Sequence, residues 1–134
     1  STQLGDKELD WDETLDAQSA QCDAAQLDSE APLFFLYTSG TTGKPKGVVH
    51  THGGYMVGTS YTHRICFDLQ NDDIYFCTAD PGWVTGTSYG MFGPWALGVT
   101  QLVYEGAFSP EQWYALLERY RVTVWYTAPT AIRM

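Results

Sequence analysis

Basic side chains are scarce in this sequence: seven Lys and Arg stand against sixteen Asp and Glu. The resulting net charge of −9 excludes the basic footprint that nucleic acid or an anionic membrane surface calls for. No apolar run comes near the roughly 18–20 residues that a membrane-spanning helix needs, and the acidic N-terminal stretch is unlike a signal peptide. Cysteine is sparse too. Cys22, Cys66 and Cys77 are odd in number and form no CxxC pair, which argues for reduced thiols and a cytoplasmic protein. Of these, Cys66 and Cys77 read as buried apolar packing. His50 and His52, in "VHTHGG", lack a third ligand nearby and make no metal site.

What is present is apolar and aromatic: 44% and 15% of 134 residues, enough for one modest domain with its own core. The acidity is uneven. Residues 1–30 carry nine acidic side chains against Lys7, and residues 31–134 carry seven against six Lys and Arg. The chain therefore divides into an acidic polar leader, 1–30, and a nearly neutral body, 31–134. A short helix is expected in the leader near Trp11 to Cys22.

The body alternates between two periodicities. Leu33–Tyr37, Ile74–Cys77, Val99–Tyr104 and Val122–Tyr126 read as strands, Leu33–Tyr37 as a buried one, and Gly47–His50 as a short continuation. Helices are expected over Tyr55–Phe67 and Gly86–Leu97, and from Thr130 onward. The clearest start is at Ser109, placed to cap a helix with Pro110 in its first position and Gln112 completing a capping box. There Trp113, Leu116, Leu117 and Tyr120 form one apolar stripe. Strands alternating with helices predict an α/β fold, a mostly parallel sheet flanked by helices. Three strands end alike, at Thr38-Ser39-Gly40, Thr78-Ala79-Asp80 and Thr127-Ala128-Pro129. In a parallel sheet such ends line one crevice.

The stretch "LYTSGTTGKPKG" concentrates chemistry suited to a phosphate chain. Gly40 and Gly43 let backbone N–H groups approach an anion, Thr38, Ser39, Thr41 and Thr42 add hydroxyls, and Lys44 and Lys46 add charge. Pro45 restricts the loop. It is not the Walker A pattern, since Thr38 replaces its first Gly and Pro45 its final Ser/Thr. Composition alone leaves a phosphate cradle and a plain surface turn both open.

The ordered string "YTSGTTGKPKGVVH" resembles the phosphate-loop signature of the adenylate-forming enzymes. "DIYFCTADPGWVTGTSYGMFGPWALGVT" and "VTVWYTAPTAIRM" are similar to the acetyl-CoA synthetase (acetate–CoA ligase) family, and "FSPEQWY" to its shorter bacterial branch. The resemblance implies part of the large N-terminal, AMP-binding domain, truncated at its C-terminal end. It implies ATP, CoA and Mg²⁺ (arriving with ATP) as cofactors and acetate as substrate. Thr38, Ser39, Gly40, Thr41, Thr42, Gly43, Lys44 and Lys46 would enclose the ATP phosphates. Trp83, Val84 and Thr85 would border the acyl and CoA pocket, with Tyr126 to Arg133 packed beside it. Propionate-preferring members tend to carry Val where Thr85 stands, so Thr85 leans towards acetate. Two positions depart from the family pattern: Thr87 replaces a frequent His, and Ser109 a frequent Asn. The resemblance places the adenine, ribose and metal segments and the C-terminal domain outside these residues, and it implies that the 134-residue chain alone is inactive.

Overall fold

The computed structural model describes residues 5, 8–38 and 43–133. Two sheets form among them. An antiparallel hairpin joins β1 (Pro32–Thr38) to β2 (Lys46–Thr51), and a parallel sheet has the order β4 (Thr100–Leu102), β3 (Ile74–Cys77), β5 (Val124–Tyr126). The helices are α1 (Trp11–Asp16), α2 (His52–Thr62), α3 (Val84–Thr87), α4 (Gly93–Leu97), α5 (Pro110–Tyr120) and α6 (Pro129–Arg133). Two π-turns extend them: His63–Phe67 continues α2, and Ser88–Phe92 joins α3 to α4.

The parallel sheet carries the core because β3 is its central strand and its successive side chains alternate between faces. Tyr75 is 0% exposed and packs with Leu69, Val99, Phe67 and Val124 on one face. Phe76 points the other way, towards α5, with its ring centroid 6.1 Å from that of Trp113. Trp125, in register with Phe76, meets the same Trp113 at 6.3 Å. Helical segments thus cover both faces, the α/β arrangement expected. Burying each of these aromatic side chains stabilises the fold by about 1.5–3 kcal/mol.

Local chemistry fixes the helix starts. Ser109 accepts from the Gln112 amide at 3.4 Å, and Pro110 occupies the first turn. Gln112 does not complete the capping box with its side chain; its Oε1 accepts from the Tyr104 hydroxyl instead. Glu111 bonds its own amide and the Ser109 hydroxyl, which hold its carboxyl below the usual range. At α2 the hydroxyl of Thr51 accepts from Gly54, so the helix begins three residues before Tyr55 and contains both glycines. Gly53 is required there, because a Cβ would press on Ser29 at 2.8 Å. Pro129 opens α6 rather than merely breaking a strand, as a residue without an N–H can at the first helical position.

Several expectations are corrected. Leu33–Tyr37 forms a strand, but not a buried one: Phe35 is 64% and Tyr37 69% exposed. Its partner is β2, not the parallel sheet, because a seven-residue connection permits only antiparallel return. The expected helix near Trp11–Cys22 stops at Asp16, and residues 8–30 are exposed throughout. Cys66 is exposed rather than buried; Cys77 is half-buried.

Candidate active site

Two regions carry the chemistry read from the sequence. The first is the tip of the hairpin. Thr38 ends β1 opposite Lys46, which starts β2. Ser39, Gly40, Thr41 and Thr42 lie outside the described residues. Gly43 has φ +83°, the left-handed region, and a Cβ built there meets nothing within 4 Å. Lys44 and Lys46 are exposed. Among the described residues of the loop, then, Gly43 has open space beside it and both lysines are exposed.

The second region is the carboxyl end of the parallel sheet. Strands β3 and β5 run side by side, so their matching ends meet. The Thr78 amide donates to the Tyr126 carbonyl at 3.0 Å, and the Thr78 and Thr127 hydroxyls lie 2.6 Å apart. Beyond them opens a cleft of about 600 Å³, its wall including Thr78, Asp80, Pro81, Gly86, Trp113 and Ala131. Gln101 also lines it, anchored by its Nε2 on the Gly90 carbonyl, with its Oε1 buried and unpartnered. Two of the three similar strand ends are thus joined in one crevice. The third, at Thr38, belongs to the separate hairpin.

The turn from Asp80 to Thr87 is locked by its own polar groups. Asp80 Oδ1 accepts from Gly82 at 2.6 Å, the Asp80 carbonyl accepts from Trp83 at 3.0 Å, and the Thr87 hydroxyl donates to the Pro81 carbonyl at 2.6 Å. Gly86 is needed because any Cβ would run into the Asp80 carbonyl. Trp83, Val84 and Thr85 sit on this turn and the start of α3, between Pro81 and Gly86 of the cleft wall but not themselves on that wall. Trp83 is 73% exposed and Thr85 half-buried.

Tyr55 connects the two regions. Its ring takes the edges of Phe34 and His50 from the hairpin, at 5.0 and 5.7 Å between centroids. Its hydroxyl bonds Ser88 Oγ at 2.7 Å, in the helix that begins at Val84. His50 therefore serves the packing of the hairpin on α2. Behind the cleft, burial pushes up both the Tyr75 hydroxyl and the Cys77 thiol; the thiol pushes Tyr75 up further, while its hydrogen bonds to Ala79 and Tyr75 offset part of its own rise. A thiol held protonated in this way is a poor nucleophile. Sequence reading missed Tyr55, Ser88 and the fully buried His63. Ser88 and Tyr55 lie 33 positions apart, and only the fold brings them together.

The chain spans a fifth or less of the curated relatives it matches. It is 55% identical over 130 residues to the acetyl-coenzyme A synthetase of Deinococcus radiodurans, covering 95% of this chain and 20% of that protein. It is 55% identical over 131 residues to the one of Mycolicibacterium smegmatis, covering 95% and 14%. A solved structure, the acyl-CoA synthetase of Brucella canis, matches with a TM-score of 0.85 and 32% identity over 98% of this chain and 24% of its own. The family profile described as AMP-binding enzyme matches residues 2–134, so the acidic leader lies within the match. With the profile spanning nearly every residue and the fold agreeing, the chain belongs to the AMP-binding enzyme family.

Proposed function

We propose that the protein activates acetate: acetate attacks the α-phosphate of ATP to give acetyl-adenylate and pyrophosphate, and the CoA thiol then takes the acetyl group, releasing AMP. The observation that carries this reading is the 55% identity, over 95% of this chain, to a protein named acetyl-coenzyme A synthetase.

In this reading Thr38 to Gly43, Lys44 and Lys46 hold the β- and γ-phosphates. The open left-handed Gly43 and the two exposed lysines fit that role. Mg²⁺ bound with ATP supplies further neutralisation of the departing pyrophosphate. Trp83, Val84 and Thr85 border the acetyl and thiol groups, on a turn rigid enough to orient them. Such chemistry depends mainly on positioning and charge stabilisation, which these two regions are built to provide. Acetate, ATP and CoA are the proposed partners, and the exposed thiols of Cys22 and Cys66 suit the reducing cytoplasm.

The test is carboxylate-dependent release of pyrophosphate from ATP, measured on the product of the complete reading frame. Acetate is expected to drive it and propionate to do so about 10–200-fold less efficiently, the range one methylene can give. Equal use of propionate would move the assignment to a broader short-chain acid, and no carboxylate dependence would overturn it. The 134-residue chain alone is expected to release no pyrophosphate above background, because it spans a fifth or less of the matched relatives.

A further inference from the structure

Tyr55 and Ser88 form a buried polar pair between the two regions. Each is 6% exposed, and their hydroxyl oxygens lie 2.7 Å apart. The Tyr55 ring is held separately, by edge contacts with Phe34 and His50 of the hairpin and with Phe92, the last at 5.7 Å between centroids. The hydroxyl is thus an addition to packing that the ring already makes.

The place of each residue follows from how its helix starts. Strand β2 runs directly into α2 with Thr51 as the cap, so Tyr55 stands in the first turn after the strand that begins at Lys46. Helix α3 starts at Val84, and Ser88 comes four residues later, one turn on and on the same helix face. The bond therefore joins the hairpin to the segment after the Asp80–Thr87 turn within one helical turn of each. A buried hydroxyl left without a partner is costly, so the two groups hold their elements together.

We infer that Tyr55 is a positioning residue: through its hydroxyl on Ser88 it fixes the hairpin relative to the segment that begins with Val84 and Thr85. The inference rests on the reading above, in which the hairpin holds the ATP phosphates and Val84 and Thr85 border the acetyl group. In that reading the acetate oxygen must approach the α-phosphorus to about 3–3.5 Å, although separate elements hold the two substrates. Each element binds its own substrate without the bond, and only their relative placement depends on it. The effect therefore falls on kcat rather than on either KM.

The test is acetate-dependent ATP–pyrophosphate exchange on the product of the complete reading frame. Tyr55→Phe keeps the ring and removes only the hydroxyl. It is expected to lower kcat about 10-fold, with KM for ATP and KM for acetate within about two-fold of the parent. Ser88→Ala is expected to do the same from the other side, and the double variant to be no slower than either single one. In urea the double variant is expected to lose less stability than the two single variants summed, because they share one bond. Unchanged kcat in Tyr55→Phe, even with lowered stability, would make the pair simple packing and overturn the inference. Additive losses in urea would overturn it too, as would a kcat that recovers in the double variant. If Tyr55→Phe does not fold, kcat and the two KM values of Ser88→Ala decide. Should the parent protein show no acetate dependence, the functional reading fails, while the urea comparison still judges whether the bond joins the two segments.

Discussion

The hairpin and the parallel sheet are made from similar strings of apolar residues and end in opposite circumstances. "LFFLY" in β1 leaves Phe35 and Tyr37 largely in solvent, whereas "IYFC" in β3 buries Tyr75 and Phe76 almost completely. The difference lies in what covers each face. β3 has a strand on both sides, α5 on one face and helical turns on the other; β1 has a single partner strand and α2. An apolar string predicts a strand, and only the neighbouring layers decide its burial.

That contrast can be broken or sharpened by mutation. Phe76→Ala is expected to cost about 3–5 kcal/mol, whereas Phe35→Ala should fall within about 0.5 kcal/mol. Urea unfolding of the two variants measures both, and equal losses would mean that the hairpin face is covered as thoroughly as the core. Glycine gives a second contrast. Gly86→Ala drives a Cβ into the Asp80 carbonyl and should cost about 3 kcal/mol. Gly43→Ala meets no atom and bears only the strain of its positive φ, about 1–2 kcal/mol. Thermal melts of both variants check the order.

Ser109→Ala removes one cap from α5 and should lower stability by about 1 kcal/mol, with Ser109→Asp recovering it in the same denaturation series. The last effect appears only in alkali. Folding raises the ionisation of Tyr75 and Cys77 above their ordinary values, so their full stabilisation is present below those values. As pH climbs past about 9 the unfolded chain loses protons first, and stability falls. A Tm series from pH 7 to 11 should show that fall, and Cys77→Ala should delay its onset.

How far the sequence was readable follows the range of the forces involved. Ile74–Cys77 is found at the expected residues, and the Ser109-Pro110 start holds, because alternation and capping are decided within a few positions. The π-turns were not legible as such: Tyr55–Phe67 and Gly86–Leu97 read as plain helices, yet each contains one. The signal for the second was present in "FGP", where Pro94 strands the Tyr89 carbonyl, but its remedy comes from the Tyr75 hydroxyl, distant in sequence. Strand β5 starts two residues later than expected, since Thr123 engages Ile74 and Asp73 through its hydroxyl at 2.9 and 2.7 Å. At the site, the joining of Thr78 to Thr127 was foreseeable from their matching strand ends. The separation of the Gly-rich loop onto a hairpin was not, because apolar composition does not specify the partner strand.

The proposed division of labour between the hairpin and the turn from Asp80 to Thr87 is tested most directly by acetate-dependent ATP–pyrophosphate exchange with Lys44→Ala in the product of the complete reading frame. A lysine that bonds the phosphates is worth about 1.5–3 kcal/mol. KM for ATP should therefore rise about 10-fold or more while KM for acetate stays within two-fold of the parent, by order of magnitude. A rise in KM for acetate with KM for ATP unmoved would contradict the placement of the phosphates on the hairpin.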